Sequence, residues 1–370
     1  MIRTPVPFLL AALAAPLAAQ STLAELQQRF AKEAQALDAK RADQEQREAL
    51  LRQHLDQLTR FLADTAKGDD RWNGRLMLAD LNLARGDRKS ATAALKDIDG
   101  KEAPPLLLVT AATMAQHLNL KTERQAMIDA ALARTAPLAD RLAMARMLVT
   151  VLHEVERGEK VFAAALAEAK DDDGRAFVRW HMADAKRDRE DLPDNAAYED
   201  LEALAKELPG TYWGGVARDR LRMTQLKPGE PAIPFTATTT TGATWSVTEP
   251  AGKAVVLVFF ALGDHDNAPL ATLLTEAQRR HGDALRLLGV CLDRDVAAVA
   301  ERLPALGFDF PIVADGKGTQ NDAALRWFAE GPVVHVIDGK GRVQALGLHA
   351  GTNDGRTELR EAIDAAVSAK

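Results

Sequence analysis

Residues 252–270 read GKAVVLVFFALGDHDNAPL, and this stretch decides the fold. Ala254 to Leu262 is a continuous run of β-branched, aromatic and aliphatic residues. Such a run fits a strand buried on both faces, as in parallel sheets. The run breaks at Gly263-Asp264-His265-Asp266, and a helical pattern follows from Leu270 to His281. Pro269 suits a first helical turn, where its missing N–H would have no partner anyway. A buried strand, a polar turn and a helix open a βαβ unit.

The same grammar continues toward the C-terminus. LRLLGVCLD (285–293) is a second buried strand, Val296 to Leu306 is helical, and PIVAD is a short strand. Asn321 to Phe328 is helical, and PVVHVID and GRVQALG are two strands joined at Gly339-Lys340-Gly341. Arg356 to Ser368 closes the chain as a helix. On the other side, Thr236 to Thr241 and Trp245 to Val247 flank Gly242 and read as a hairpin. The proline-rich LKPGEPAIPF cannot lie in a helix, which places a boundary near Leu226. Strands alternating with helices, then a hairpin and a helix, predict a layered α/β domain over 226–370.

Residues 21–225 have a different texture, Ala/Leu-rich with apolar residues every three to four positions. Leu23, Leu26, Phe30, Ala34 and Leu37 share one helix face, and Leu51, Leu55, Leu58 and Leu62 another. RWNGRLMLADLNLARGDRKSATAALKDI (71–98) places two helices about the Gly86-Asp87 turn, with Ala91, Ala94 and Leu95 on the second. Its spacing resembles a tetratricopeptide repeat. Looser pairs follow: Leu106–Leu118 with Arg124–Ala133, then Leu142–Val155 turning at Gly158 and returning through Phe162 and Leu166. Phe177–Ala185 pairs with Tyr198–Leu208 across the charged RDREDLPDN loop, and LPGTYWGGVARDRL closes the region. Either a true repeat or an irregular array of antiparallel helix pairs satisfies this pattern.

The first 20 residues, MIRTPVPFLLAALAAPLAAQ, carry Arg3, an apolar run from Phe8 to Ala15, and small residues around Ala18 and Ala19. This is the layout of a cleaved signal peptide, and its apolar run is shorter than the roughly 20 residues a spanning helix needs. Export, most simply to a bacterial periplasm, is the expectation; the alternative is a buried N-terminal helix. In the full 370-residue chain, 53 acidic and 47 basic side chains leave a net charge of -6, and aromatics are 5%. With no basic run and few aromatics, nucleic-acid binding is not expected. A composition 47% hydrophobic and 27% charged argues against long disorder and against a polytopic membrane protein. One cysteine excludes an internal disulfide and a cysteine-built zinc site.

The C-terminal stretches resemble the thioredoxin-like superfamily in its redoxin branch, the alkyl hydroperoxide reductase/thiol-specific antioxidant group. The resemblance spans roughly Lys227 to Lys370 and rests on five strings in order: GEPAIPFTATTTTGATWSV, GKAVVLVFFA, GVCLDRD, ADGKG and GPVVHVIDGKGRV. The helical region ahead of it resembles bacterial exported proteins that place helical repeats before a redoxin domain. The resemblance implies a C-x-x-C motif at the helix start and a cis-proline, here Pro332, lining a groove for extended backbone. In such a motif the helix N-terminus lowers the first thiol's pKa and the second thiol resolves the mixed disulfide. Aligned on the strand, those two positions are His265 and Ala268. Neither is cysteine, nor is any other residue of the turn, so the thiol chemistry of the family has no nucleophile there.

Two groups carry alternative readings. Asp264, His265 and Asp266 read either as carboxylates at a helix start, which satisfy free N–H groups and the dipole, or as a metal or acid–base cluster with His335 as a further ligand. His335 sits on a strand whose alternation points to burial. Cys291, mid-strand among apolar neighbours, reads as a small buried hydrophobe, or else as a lone thiol that pairs with another protein. His349 and the KRDRED run read as surface. The combined expectation is an α-helical, tetratricopeptide-like array followed by a thioredoxin-like domain, without a cofactor. Its function is read as a non-catalytic exported binding or scaffold protein for a protein or peptide partner. The other reading is a thiol-dependent oxidoreductase or antioxidant that uses Cys291 or a partner's thiols. Sequence fixes no oligomeric state.

Overall fold

The computed structural model describes residues 22–369 apart from 41, 65, 190, 194 and 248–251. The proposed signal peptide lies outside the described residues. The chain divides into two compact units, 1–204 and 205–370.

Among the described residues the first unit is helical: α1 (Leu23–Ala39), α2 (Gln44–Asp64), α3 (Gly68–Ala84), α4 (Arg88–Lys96), α5 (Pro105–His117), α6 (Lys121–Leu132), α7 (Leu138–Thr150), α8 (Val155–Glu168), α9 (Asp172–Arg187) and α10 (Ala196–Glu207), within which the division falls. Consecutive helices pack as pairs, α3 on α4, α5 on α6 and α7 on α8. The first helix of each pair also packs on the first helix of the next, α3 on α5, α5 on α7 and α7 on α9. The second helices start at Arg88, Lys121 and Val155, a recurrence of roughly 34 residues. Turn chemistry sets these starts. Asp87 caps α4 by accepting from the Ser90 N–H at 3.0 Å, and Asp171 caps α9 through the Gly174 N–H at 2.7 Å. Pro105 occupies the first turn of α5. The core of this array is small and aliphatic, with Ala91, Leu95, Leu108, Ala112, Ala115, Ile128 and Leu148 all fully buried. Alanines at these positions let helix axes approach closely.

Gly158 departs from the sequence reading. It lies inside α8, and the turn between α7 and α8 falls at residues 151–154. A Cβ there would stand 2.5 Å from Val149 Cγ2 and 2.8 Å from the Ala145 carbonyl oxygen. The glycine serves close helix approach, not reversal of the chain.

The second unit contains α11 (Tyr212–Gln225), β1 (Thr236–Thr238), β2 (Thr244–Ser246), β3 (Ala254–Phe260), α12 (Asn267–His281), β4 (Leu285–Cys291), α13 (Val296–Leu306), β5 (Ile312–Val313), α14 (Asp322–Arg326), β6 (Val333–Ile337), β7 (Val343–Leu348) and α15 (Asn353–Ser368). The reading from the proline-rich lead-in set α11 with the helical region before Leu226, whereas its contacts place it in the second unit. Asp219 of α11 pairs with Arg326 at the end of α14, and the Arg220 guanidinium lies 4.0 Å from the Phe328 ring centre. A helix with no strand signal of its own is assigned by what it packs on, which its local sequence does not show.

The main sheet has the order β5-β4-β3-β6-β7. β3 pairs parallel with β4, and β4 with β5, while β6 runs antiparallel to β3 and to β7. The unbroken apolar run of β3 is explained by the sheet's two faces. Val256, Val258 and Phe260 pack with α12 and α15, and Val255, Leu257 and Phe259 pack on the other face with Trp327 and Trp245. Fully burying such side chains contributes about 1.5–3 kcal/mol each. A central parallel β3–β4 pair joined by α12, with an antiparallel β6–β7 hairpin and a closing helix on the same face as α12, is the thioredoxin-like arrangement that the resemblance implies.

Every peptide bond among the described residues is trans, including that of Pro332. This corrects the expected cis-proline: Pro332 stands immediately before β6 as anticipated, in the isomer that an X–Pro bond adopts unless its surroundings impose the other.

Candidate functional site

The candidate site that the sequence resemblance points to is the turn between β3 and α12. It is anchored at Leu262, which is buried. The Leu262 N–H donates to Asp293 Oδ2 at 2.7 Å, and the Leu262 carbonyl accepts from Arg302 of α13 at 3.1 Å. One residue earlier, the Ala261 carbonyl accepts from the buried Asn267 side-chain amide at 2.8 Å. The turn is therefore held from the loop after β4, from α13 and from the first turn of α12. Sequence reasoning missed Arg302 and Asn267. Nothing local marks Arg302, which is distant in sequence, and Asn267 hides beside the more conspicuous charges. Asp293 was visible only as the acid ending a strand.

Beyond Leu262 the chain turns outward. His265 is 93% exposed in its side chain, and Ala268, on the first turn of α12, is also exposed. These are the two positions that the resemblance read from sequence sets against the thiols of the superfamily motif. The scaffold presents both to solvent at a helix start, and an imidazole and a methyl group occupy them.

Asp264, His265 and Asp266 each bring one potential ligand atom within 4.8 Å of the others. Their geometry is that of a clasped imidazole. His265 Nδ1 lies 3.5 Å from Asp264 Oδ1, and Nε2 lies 3.2 Å from Asp266 Oδ1. The two ring nitrogens thus face different carboxylates. The capping role is limited. Asp266 occupies the N-cap of α12 but makes no side-chain capping bond, and Asp264 accepts instead from the Asp266 N–H at 3.1 Å. The Asp266 carboxylate rests against Gly351, in the segment between β7 and α15, where a Cβ would overlap it.

His335 does not belong to this group. It is buried on β6, opposite Leu257 of β3, with its ring 5.1 Å from Trp327 and 5.9 Å from Phe259 between centres. Burial, with His349 as a lesser cause, lowers its pKa to about 4. His349 is exposed.

Cys291 ends β4 with 1% of its surface exposed, in the core on the α12 face. Its Sγ lies 3.4 Å from Asp293 Oδ2. Burial pushes the thiol up to about 12, and the Asp293 charge acts in the same direction. A thiol so held is protonated at neutral pH and is not a nucleophile.

Pro332 closes a turn shaped by Phe328, whose φ of 50° is left-handed, a conformation that costs a bulky residue about 1 kcal/mol or more. The Arg220 guanidinium over its ring supports that conformation.

No family model matches the chain, and no curated protein matches it. Solved structures similar to it include the thioredoxin domain of a thiol-disulfide oxidoreductase from Bacteroides vulgatus, with 19% identity, 37% of this chain and 99% of that one covered, and a TM-score of 0.33. A thioredoxin-family thiol:disulfide interchange protein from Chlorobium tepidum has 19% identity, 38% and 97% coverage, and a TM-score of 0.32. A secreted Mycobacterium tuberculosis disulfide oxidoreductase has 20% identity, 35% and 95% coverage, and a TM-score of 0.30. The strand order and helix placement described above, not these likenesses, make the second unit thioredoxin-like. No helix among the described residues is long and apolar enough to cross a membrane.

Proposed function

We propose that this protein is an exported, non-catalytic binding or scaffold protein, in which a thioredoxin-like domain has kept its frame and carries no thiol chemistry of its own. The observation that supports this most directly is the fate of sulfur. The two exposed positions at the start of α12 are His265 and Ala268, and the single cysteine is buried with its pKa near 12. Mixed-disulfide exchange and peroxide reduction both begin with an accessible thiolate. The helical unit supports the same reading. Helix pairs recurring at roughly 34 residues, with first helices packed in a row, fit a tetratricopeptide-like array, which offers a continuous surface to a protein or peptide. The first 20 residues would direct export and be removed.

The deciding experiment compares purified wild type with Cys291→Ala in insulin-disulfide reduction and hydroperoxide turnover. The expected result is no turnover by either. Turnover by wild type that disappears in Cys291→Ala would overturn the proposal in favour of a thiol enzyme. The intact mass of protein secreted by a bacterial host tests export, which predicts loss of the N-terminal segment.

A further inference from the structure

His335 is the only buried histidine among the described residues of the second unit, and its hydrogen bonding fixes its proton. Nδ1 accepts from the backbone N–H of Gly347 at 3.2 Å. A neutral imidazole that accepts at one nitrogen carries its hydrogen on the other, so the N–H is at Nε2. Nε2 has no hydrogen-bond partner, and neither does the buried indole Nε1 of Trp327 beside it.

The surroundings offer nothing that welcomes a second proton. β3 brings Leu257 and Phe259, the residue after α14 is Trp327, and β7 supplies the Gly347 amide. Past the end of β7 stands His349, whose charge would repel an imidazolium. None of these groups is a carboxylate. Protonating Nδ1 would set two N–H donors against each other across the His335–Gly347 contact and leave a charge in an apolar core. The strain falls on the last strand in the sheet order. β7 is the edge strand, its register with β6 shifts on both sides of Val336, and Gly347 has a φ of 70°. Directly beyond β7, Gly351 lies against the Asp266 carboxylate at the α12 turn.

We propose that His335 is an acid-sensitive latch: taking up a proton on its imidazole releases β7 from β6 at Gly347 and loosens the 349–351 segment that rests on the α12 turn, while the parallel β3–β4 core stays closed. This inference does not depend on the proposed function. Its direction follows from the depressed folded-state pKa. The latch is fully closed above the ordinary histidine value of 6.5 and weakens as pH falls toward about 4, because the open form binds the extra proton.

The test uses the full-length protein and reads amide hydrogen-exchange protection, corrected for intrinsic rates, in the segment carrying Gly347. Between about pH 7.5 and about pH 4.5, protection there should fall roughly tenfold or more in wild type, while β3 and β4 amides hold and His335→Gln shows no such fall. An equal fall in both proteins, or none in wild type, overturns the latch. If His335→Gln fails to fold, wild-type NMR titration decides alone. Loss of the Gly347 amide's protection in step with protonation of the imidazole supports the latch, and protonation with that protection kept, or a midpoint at the unperturbed value, overturns it.

Discussion

Asp293 accepts the backbone N–H of Leu262 at 2.7 Å, so the loop after β4 holds the turn that follows β3. Arg302 grips the carbonyl of the same residue. Removing a partner from a buried backbone N–H costs about 1–3 kcal/mol, whereas substitution at an exposed position usually stays within about 0.5 kcal/mol. Asp293→Ala is therefore expected to lower stability by about 1–3 kcal/mol in urea unfolding with an unchanged m-value. His265→Ala, at the exposed tip, should be near neutral. Equal costs for the two would mean that the turn does not depend on Asp293.

Cys291 supplies a second prediction. Raising a thiol from 9.0 to about 12 leaves about a thousandfold less thiolate at a given pH. A small thiol reagent should therefore label the native protein at least about a thousandfold more slowly than the urea-unfolded chain, with a native rate that tracks opening of the domain. Rapid labelling of folded protein would show that the β4 end is not closed.

Gly158 sets two effects against each other. Gly158→Ala gains up to about 1 kcal/mol in helix propensity. It also places a methyl group 2.8 Å from the Ala145 carbonyl oxygen, and backbone yields less readily than a side chain. Overpacking costs about 1–3 kcal/mol, so the substitution should destabilise the array by about 1 kcal/mol and lower Tm. A rise in Tm would show that α7 and α8 can separate without penalty.

That glycine also shows what the sequence could and could not disclose. The helix pairs were legible because the apolar period and the Gly86-Asp87 turn are local signals. Gly158 was misread as a turn because glycine has two uses, and only the packing partner distinguishes them. The β3 run was legible as a strand covered on both faces, since seven consecutive apolar residues fit no half-exposed one. In the site, the absence of cysteine at His265 and Ala268 was fully readable, as was the burial of Cys291 and His335. The anchors were not. Arg302 reaches Leu262 from α13, and α11 joins the second unit through Asp219 and Arg220, and such long-range pairings leave no mark on local pattern.

His54 of α2 is the basis of an acid prediction for the helical unit. It is 2% exposed, stacked on Phe30 at 4.1 Å between ring centres, and neither ring nitrogen has a hydrogen-bond partner. Burial lowers its pKa from 6.5 to about 4. The unfolded chain then binds the proton more readily, so this contribution is intact above 6.5 and is lost as pH falls toward 4. His54→Leu should gain about 2 kcal/mol relative to wild type between about pH 7.5 and about pH 5, measured by urea unfolding followed by circular dichroism. A constant difference between the two proteins across that range would show that His54 does not titrate in a buried place.

The double grip on Leu262 separates architecture from chemistry. Asp293, Arg302 and Asn267 lock the frame from behind, and His265 and Ala268 face solvent without contributing to it. The tip can therefore be changed with almost no expected penalty in folding. A His265→Cys/Ala268→Cys double substitution alters only exposed positions on an intact frame.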